Sequence, residues 1–252
     1  MELGESGVAI AYETAFLLQA FENPDCSVDQ LGTITIDACE NLRVLGILSL
    51  LVNADTDGFY HNLMRSGRYR VKYLERSAEE LEDPYHSCSG RVSPLLDVVA
   101  AGDWLIAKNL IELSTDVWQH GKEYEDDYCF AQIIHGFSIG SGALVKEKLG
   151  QYEQYLDGRH DARFSVCEAL GSKDQGAFDS AFVDYLEEHS SWIESRKEGP
   201  QTEEPKMLAL REVYVDGLAI LRLAERLGLR TENEYLFCPG LARRAMMVDF
   251  VE

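Results

Sequence analysis

Basic side chains are scarce in this chain. Its 252 residues carry 23 Lys and Arg against 44 Asp and Glu, a formal net charge of -21, which argues against nonspecific attraction to nucleic acid or to an anionic membrane surface. A basic partner would be drawn in instead, and the same charge also serves solubility. Cysteine pairs are missing as well. The six cysteines, Cys26, Cys39, Cys88, Cys129, Cys167 and Cys238, are scattered singly with no CxxC, which removes zinc-finger and thioredoxin-like readings. Cys39, Cys129 and Cys167 lie in apolar helical patterns and read as buried thiols of a reducing compartment. No apolar run approaches the roughly 18 to 20 residues of a membrane helix. The opening MELGESGVAI has no basic n-region of a secretory signal, so the expectation is a cytoplasmic protein without a membrane partner. GxxxxGK[ST], GxGxxG and HExxH are all absent, which leaves phosphate-cradling and zinc-protease readings without support and no cofactor implied.

Strand signals are few too, and what is present is helical periodicity with 46% hydrophobic residues, enough to bury a sizeable core. The pattern predicts an all-α protein with helices near 7–22, 28–53, 58–82, 95–101, 104–113, 123–137, 143–156, 162–170, 175–195 and 203–227. The stretch PYHSCSGRVSP is the clearest break. It suggests an N-terminal helical unit over 1–84 and a C-terminal unit over 91–252, joined closely enough to form one continuous domain. The tail from Arg230 onward looks irregular, with apolar residues that pack back onto the last helices.

Two segments share a layout: LLDVVAAGDWLIAKNLIEL from Leu95 and VCEALGSKDQGAFDSAFVD from Val166. In each, an apolar helix ends at a small turn and an Asp, Asp103 or Asp174, stands where its carboxylate can accept the free N–H groups of the next helix. Apolar residues then recur along one stripe, Ile106, Ala107, Leu110 and Ile111 in the first and Ala177, Phe178, Ala181 and Phe182 in the second. Antiparallel helix pairs of this kind are the unit of tetratricopeptide-like arrays, so the expected fold is an irregular helical repeat. Beyond the second turn, Phe178, Phe182, Tyr185, His189 and Trp192 fall on one helix face and read as core, with His189 a packing residue. Asp179, Asp184, Glu187 and Glu188 lie to the other sides.

The sharpest catalytic pattern is Gly136-Phe137-Ser138-Ile139-Gly140, which fits the GxSxG of a serine-hydrolase nucleophile elbow. That chemistry needs a strand entering the turn, a helix leaving it, an oxyanion loop and a later acid and His. Asp157 or Asp184 with His189 would respect the order, but the alternating strand and helix units are missing. The competing reading is a helix end with a glycine turn. His160-Asp161 matches the dipeptide of helical metal phosphohydrolases, which would have to recruit further ligands such as His135 and His189.

From about Ser93 to Leu241 the chain resembles the immunity protein 49 family, whose members are encoded beside secreted polymorphic toxins. The resemblance rests on LLDVVAAGDWLIAKNL, on EALGSKDQGAFDSAFVDYLEEHSSWIES, and on LALREVYVDGLAILRLAERLGL followed by NEYLFCPGL. It implies a non-catalytic protein that binds and neutralises a cognate toxin, often a nuclease with a basic surface. No toxin-binding residue comes with it, so candidate contacts follow from charge. Two clusters stand out: Tyr124 with Glu125, Asp126 and Asp127, and the outer flank of the 175–195 helix with Asp184, Glu187 and Glu188. Tyr124 would supply the aromatic anchor that interfaces favour. The competing functions are a tetratricopeptide-like interaction scaffold and a serine hydrolase using Ser138.

Overall fold

The computed structural model describes residues 3–80, 85–196 and 205–250. Among these the chain is all-α, with isolated bridges at His120–Glu123 and Tyr235–Cys238 and no strand. The helices are α1 (Leu3–Leu18), α2 (Val28–Asn53), α3 (Thr56–Glu80), α4 (Ser93–Ala101), α5 (Trp104–Leu113), α6 (Glu125–Ile139), α7 (Gly142–Leu156), α8 (Ala162–Ser172), α9 (Gln175–Arg196), α10 (Pro205–Glu212) and α11 (Val215–Leu227).

Local chemistry sets the ends of these helices. Ser27 and Gln30 form a reciprocal capping box at the start of α2. Pro94 occupies the first turn of α4, and Gly102 ends that helix in the left-handed region at φ 76°. The carboxylate of Asp103 then accepts the Ile106 N–H at 3.0 Å, and Asp174 accepts the Ala177 N–H at 2.9 Å. The two look-alike segments therefore share their capped turns. Their surroundings differ: α5 packs against α3 as well as α4, whereas α9 packs mainly against α8.

Several boundaries depart from the periodicity, and three of the departures have a visible reason. Helix α6 begins at Glu125 instead of 123, because the Glu123 carboxylate accepts the Gly90 N–H at 2.7 Å and the Gln119 N–H at 3.0 Å and so belongs to the preceding loop. Helix α3 begins at Thr56, and Asp55 accepts the Gly58 N–H at 2.9 Å in its first turn. The single helix expected over 203–227 is two, interrupted at Val213 and Tyr214. There the Tyr214 N–H donates to the Phe237 carbonyl at 2.8 Å, and Gly217 leaves room for Cys238, whose Sγ lies 2.7 Å from where a Cβ would stand. The C-terminal tail thus wedges against the α10–α11 break.

The tail also reaches further than its sequence suggested. Besides packing on α9 and α11, it returns to the start of α3, where the Tyr60 hydroxyl lies 2.9 and 2.7 Å from the carbonyls of Ala242 and Arg244. The Met247 N–H donates to Asp57 at 2.7 Å, and Arg68 stacks over Phe250.

Buried apolar residues from Ile10 to Ala242 form one contiguous cluster. Within it sits a polar knot. Arg43 of α2 pairs with Asp97 of α4 at 2.6 Å and with Asp216 of α11 at 2.8 Å, and Ser66 of α3 donates to Asp97 at 2.6 Å. Burial works against the Arg43 charge, but the two carboxylates outweigh it and hold the guanidinium protonated. All six cysteines are buried and free, and burial pushes the Cys39 thiol up to about 12.

Candidate partner interface

The aromatic stripe of α9 lies inward. Phe178, Phe182 and Tyr185 are buried, Phe178 stacking on Phe182 with ring centroids 5.6 Å apart and Tyr235 meeting Phe182 edge-on at 5.0 Å. His189 is a packing residue, sandwiched between Tyr214 at 3.8 Å and Trp192 at 5.7 Å. Burial lowers its pKa against the opposing pull of Asp216. Flanking the stripe, Asp184, Glu187 and Glu188 are exposed and form no ion pair among the described residues.

The first cluster is differently placed. Tyr124 precedes α6 in extended backbone and is 75% exposed. Glu125, Asp126 and Asp127 fill the first turn of α6, where the helix dipole favours negative charge. Their carboxylates already have partners. Arg163 of α8 forks between Asp127 at 2.7 Å and Asp126 at 2.9 Å, with Asp161 a further neighbour at 3.7 Å, and Glu125 accepts from Gln151 at 3.1 Å. Charge alone marked this cluster as an open flank; Arg163 turns its two aspartates into an ion-pair network.

A cavity of about 400 Å³ relates the two clusters. Tyr185, Glu188, His189 and Trp192 of α9 line it, together with Tyr214 and Arg163. One acidic residue of the α9 flank therefore stands on the rim, and the arginine that holds Asp126 and Asp127 stands in the wall. The recess is walled by aromatic rings, and its charged lining is mixed, with Arg43 and Arg163 against Glu188 and Asp216.

The catalytic pattern resolves into structure. Ser138 lies inside α6, buried, and its hydroxyl donates back to the Ile134 carbonyl at 2.8 Å. Gly140 is the left-handed cap of α6 and Ser141 starts α7, so the five residues are a helix end and a turn with no strand entering. Asp161 of the His-Asp dipeptide caps α8, accepting the Phe164 N–H at 2.9 Å. Among the described residues no group of three or more His, Cys, Asp and Glu side chains could hold a metal ion.

The profile of immunity protein 49 matches residues 38–241. The chain belongs to the immunity protein 49 family. The match begins within α2, so it takes in the later part of α2 and all of α3, which the sequence resemblance from Ser93 had left outside. It ends at Leu241, in the part of the tail that wedges against α11. No curated protein and no solved structure matches the chain. Two features of this family member escaped sequence reasoning, the Arg43 knot and the Arg163 fork. A lone arginine inside the apolar run of α2 was the available signal for the first, since such a charge is buried only when paired. Nothing local marked Arg163.

Proposed function

We propose that this chain is an immunity protein that neutralises a cognate antibacterial toxin by binding it in the cytoplasm, without catalysis. The single observation that carries the reading beyond family membership is the α9 face, where Asp184, Glu187 and Glu188 are exposed and without an ion pair among the described residues, with Glu188 lining an aromatic-walled cavity. A net charge of -21 steers a basic surface toward the protein, and a fixed patch of carboxylates next to an aromatic-walled recess gives that encounter a register. Toxins that cleave nucleic acid present positive charge around their active sites, so a nuclease is the toxin class this surface fits best. Tyr124 with Glu125, Asp126 and Asp127 forms a second contact zone, through Tyr124 more than through the aspartates that Arg163 holds.

Co-expression with the toxin encoded by the neighbouring gene tests the reading. Protected growth and a stable complex on pull-down are expected, with protection lost on reversing the three α9 charges. Growth arrest despite expression of the folded protein would overturn it. Protection should survive Ser138→Ala, and a fluorophosphonate probe should leave Ser138 unlabelled, because the buried hydroxyl is committed to Ile134.

A further inference from the structure

A second cavity, of about 390 Å³, lies between α2, α3 and the start of α4. It is unusual for so acidic a chain in holding three arginines, Arg43, Arg70 and Arg91. Arg43 is balanced by Asp97 and Asp216. Arg70 is not balanced. Its side chain projects from α3 with the residue 3% exposed, and it forms no ion pair among the described residues. Its one hydrogen bond there is a long contact to the Cys88 carbonyl at 3.4 Å, and its guanidinium stands 5.3 Å from the Tyr73 ring. Burial pushes its pKa down to about 10, and Arg91 adds like-charge repulsion. Arg91 is half-buried, donates to the Tyr85 carbonyl at 3.4 Å and stacks over that ring. Ser93 and Pro94 bring the start of α4 to the cavity wall, but Pro94 has no N–H and the Leu95 and Leu96 N–H groups donate to the Val92 carbonyl at 2.9 and 3.0 Å, so the two arginines are the main donors there. The negative groups that face this space are Asp97, held by Arg43 and Ser66, and Glu40, exposed at the mouth.

A buried cation without a counter-charge is costly, and two guanidiniums that repel one another raise that cost further. An oxyanion seated between them removes both penalties. Guanidinium forks are the donors that phosphate and carboxylate groups take. We infer that the cavity between α2, α3 and α4 is a binding site for a small oxyanion, held by Arg70 at its floor and Arg91 at its mouth. It borders the α9 recess, with Arg43 and Leu210 lining both, but Arg70 and Arg91 belong to this cavity alone and the inference does not depend on the toxin reading.

The test is thermal unfolding and calorimetric titration of the purified full chain with sodium phosphate, against sodium chloride at equal ionic strength. A saturable rise in unfolding midpoint is expected, about 3–6 °C at ten times the dissociation constant. Phosphate also stabilises proteins nonspecifically by surface exclusion, but that effect neither saturates nor depends on one arginine. Arg70→Met should abolish the saturable part and raise the midpoint in chloride, since it removes the uncompensated charge. If Arg70→Met does not fold, Arg91→Gln serves at the half-buried mouth, with affinity for phosphate falling about fivefold or more. No saturable response in the wild type, or the same response in the folded Arg70 variant or in Arg91→Gln, would overturn the site. Acetate in place of phosphate separates the sources: an equal shift means a carboxylate group is the occupant, and no shift means a tetrahedral oxyanion.

Discussion

His135 lies in the middle of α6 with 3% of its surface exposed, and burial lowers its pKa from 6.5 to about 4. Above pH 6.5 the ring is neutral in folded and unfolded chains alike, and the folded state loses nothing. Between pH 6.5 and 4 the unfolded chain takes up a proton that the folded chain refuses, so stability falls with pH through that window. The two pKa values imply a loss of roughly 3 kcal/mol. Denaturant titrations at pH 7 and pH 4.5 should therefore differ more in the wild type than in His135→Phe, and equal pH slopes would refute the buried neutral imidazole. Phe182 is decided by packing alone. It is 1% exposed between Phe178 and Tyr235, so Phe182→Ala opens a cavity and should cost about 3–5 kcal/mol. An unchanged chemical denaturation midpoint would mean that the stripe is not core.

Helix α6 shows what an acidic first turn does. Asp126 and Asp127 are drawn to the positive end of the helix and to Arg163, and Arg163 in turn ties α6 to α8. Reversing both aspartates to lysine puts two cations against a third and against the helix dipole. The expected loss is roughly 1–3 kcal/mol, discounted because the pair is partly exposed; reversing Asp184 and Glu187 on α9 should cost almost nothing. Urea unfolding of the two double variants checks the contrast, and equal midpoints would remove Arg163 from the account. The contrast also marks the limit of what the sequence could tell. Capped helix starts at Asp103 and Asp174, and the inward stripe of α9, depend on neighbours within a few residues and were legible. Arg163 meets Asp126 and Asp127 across a long stretch of chain, and the α10–α11 break exists because Phe237 arrives from the tail. Such events have no local periodicity, so both acidic clusters looked alike until the fold assigned a partner to one of them.

At the scale of the molecule, charge acts before contact. A chain of net charge -21 attracts a basic partner over about one Debye length, roughly 8 Å at physiological ionic strength, and lets surface patches choose the orientation of approach. If the α9 face is the docking surface, reversing Asp184, Glu187 and Glu188 together should slow association about tenfold at low salt and flatten its salt dependence. Reversing three negative charges changes the net charge of the whole molecule as well, so slower encounter alone would not locate the interface. The control is reversal of three exposed carboxylates remote from α9, for instance Glu13, Asp37 and Glu79, exposed positions of α1, α2 and α3. Both variants should lose the general steering equally. Only the α9 variant should also dissociate faster, because Glu188 lines the recess at that docking surface. Association and dissociation rates measured at two ionic strengths separate these effects. Matching rates for the two triple variants would make the acidity a long-range field and move the recognition surface away from α9.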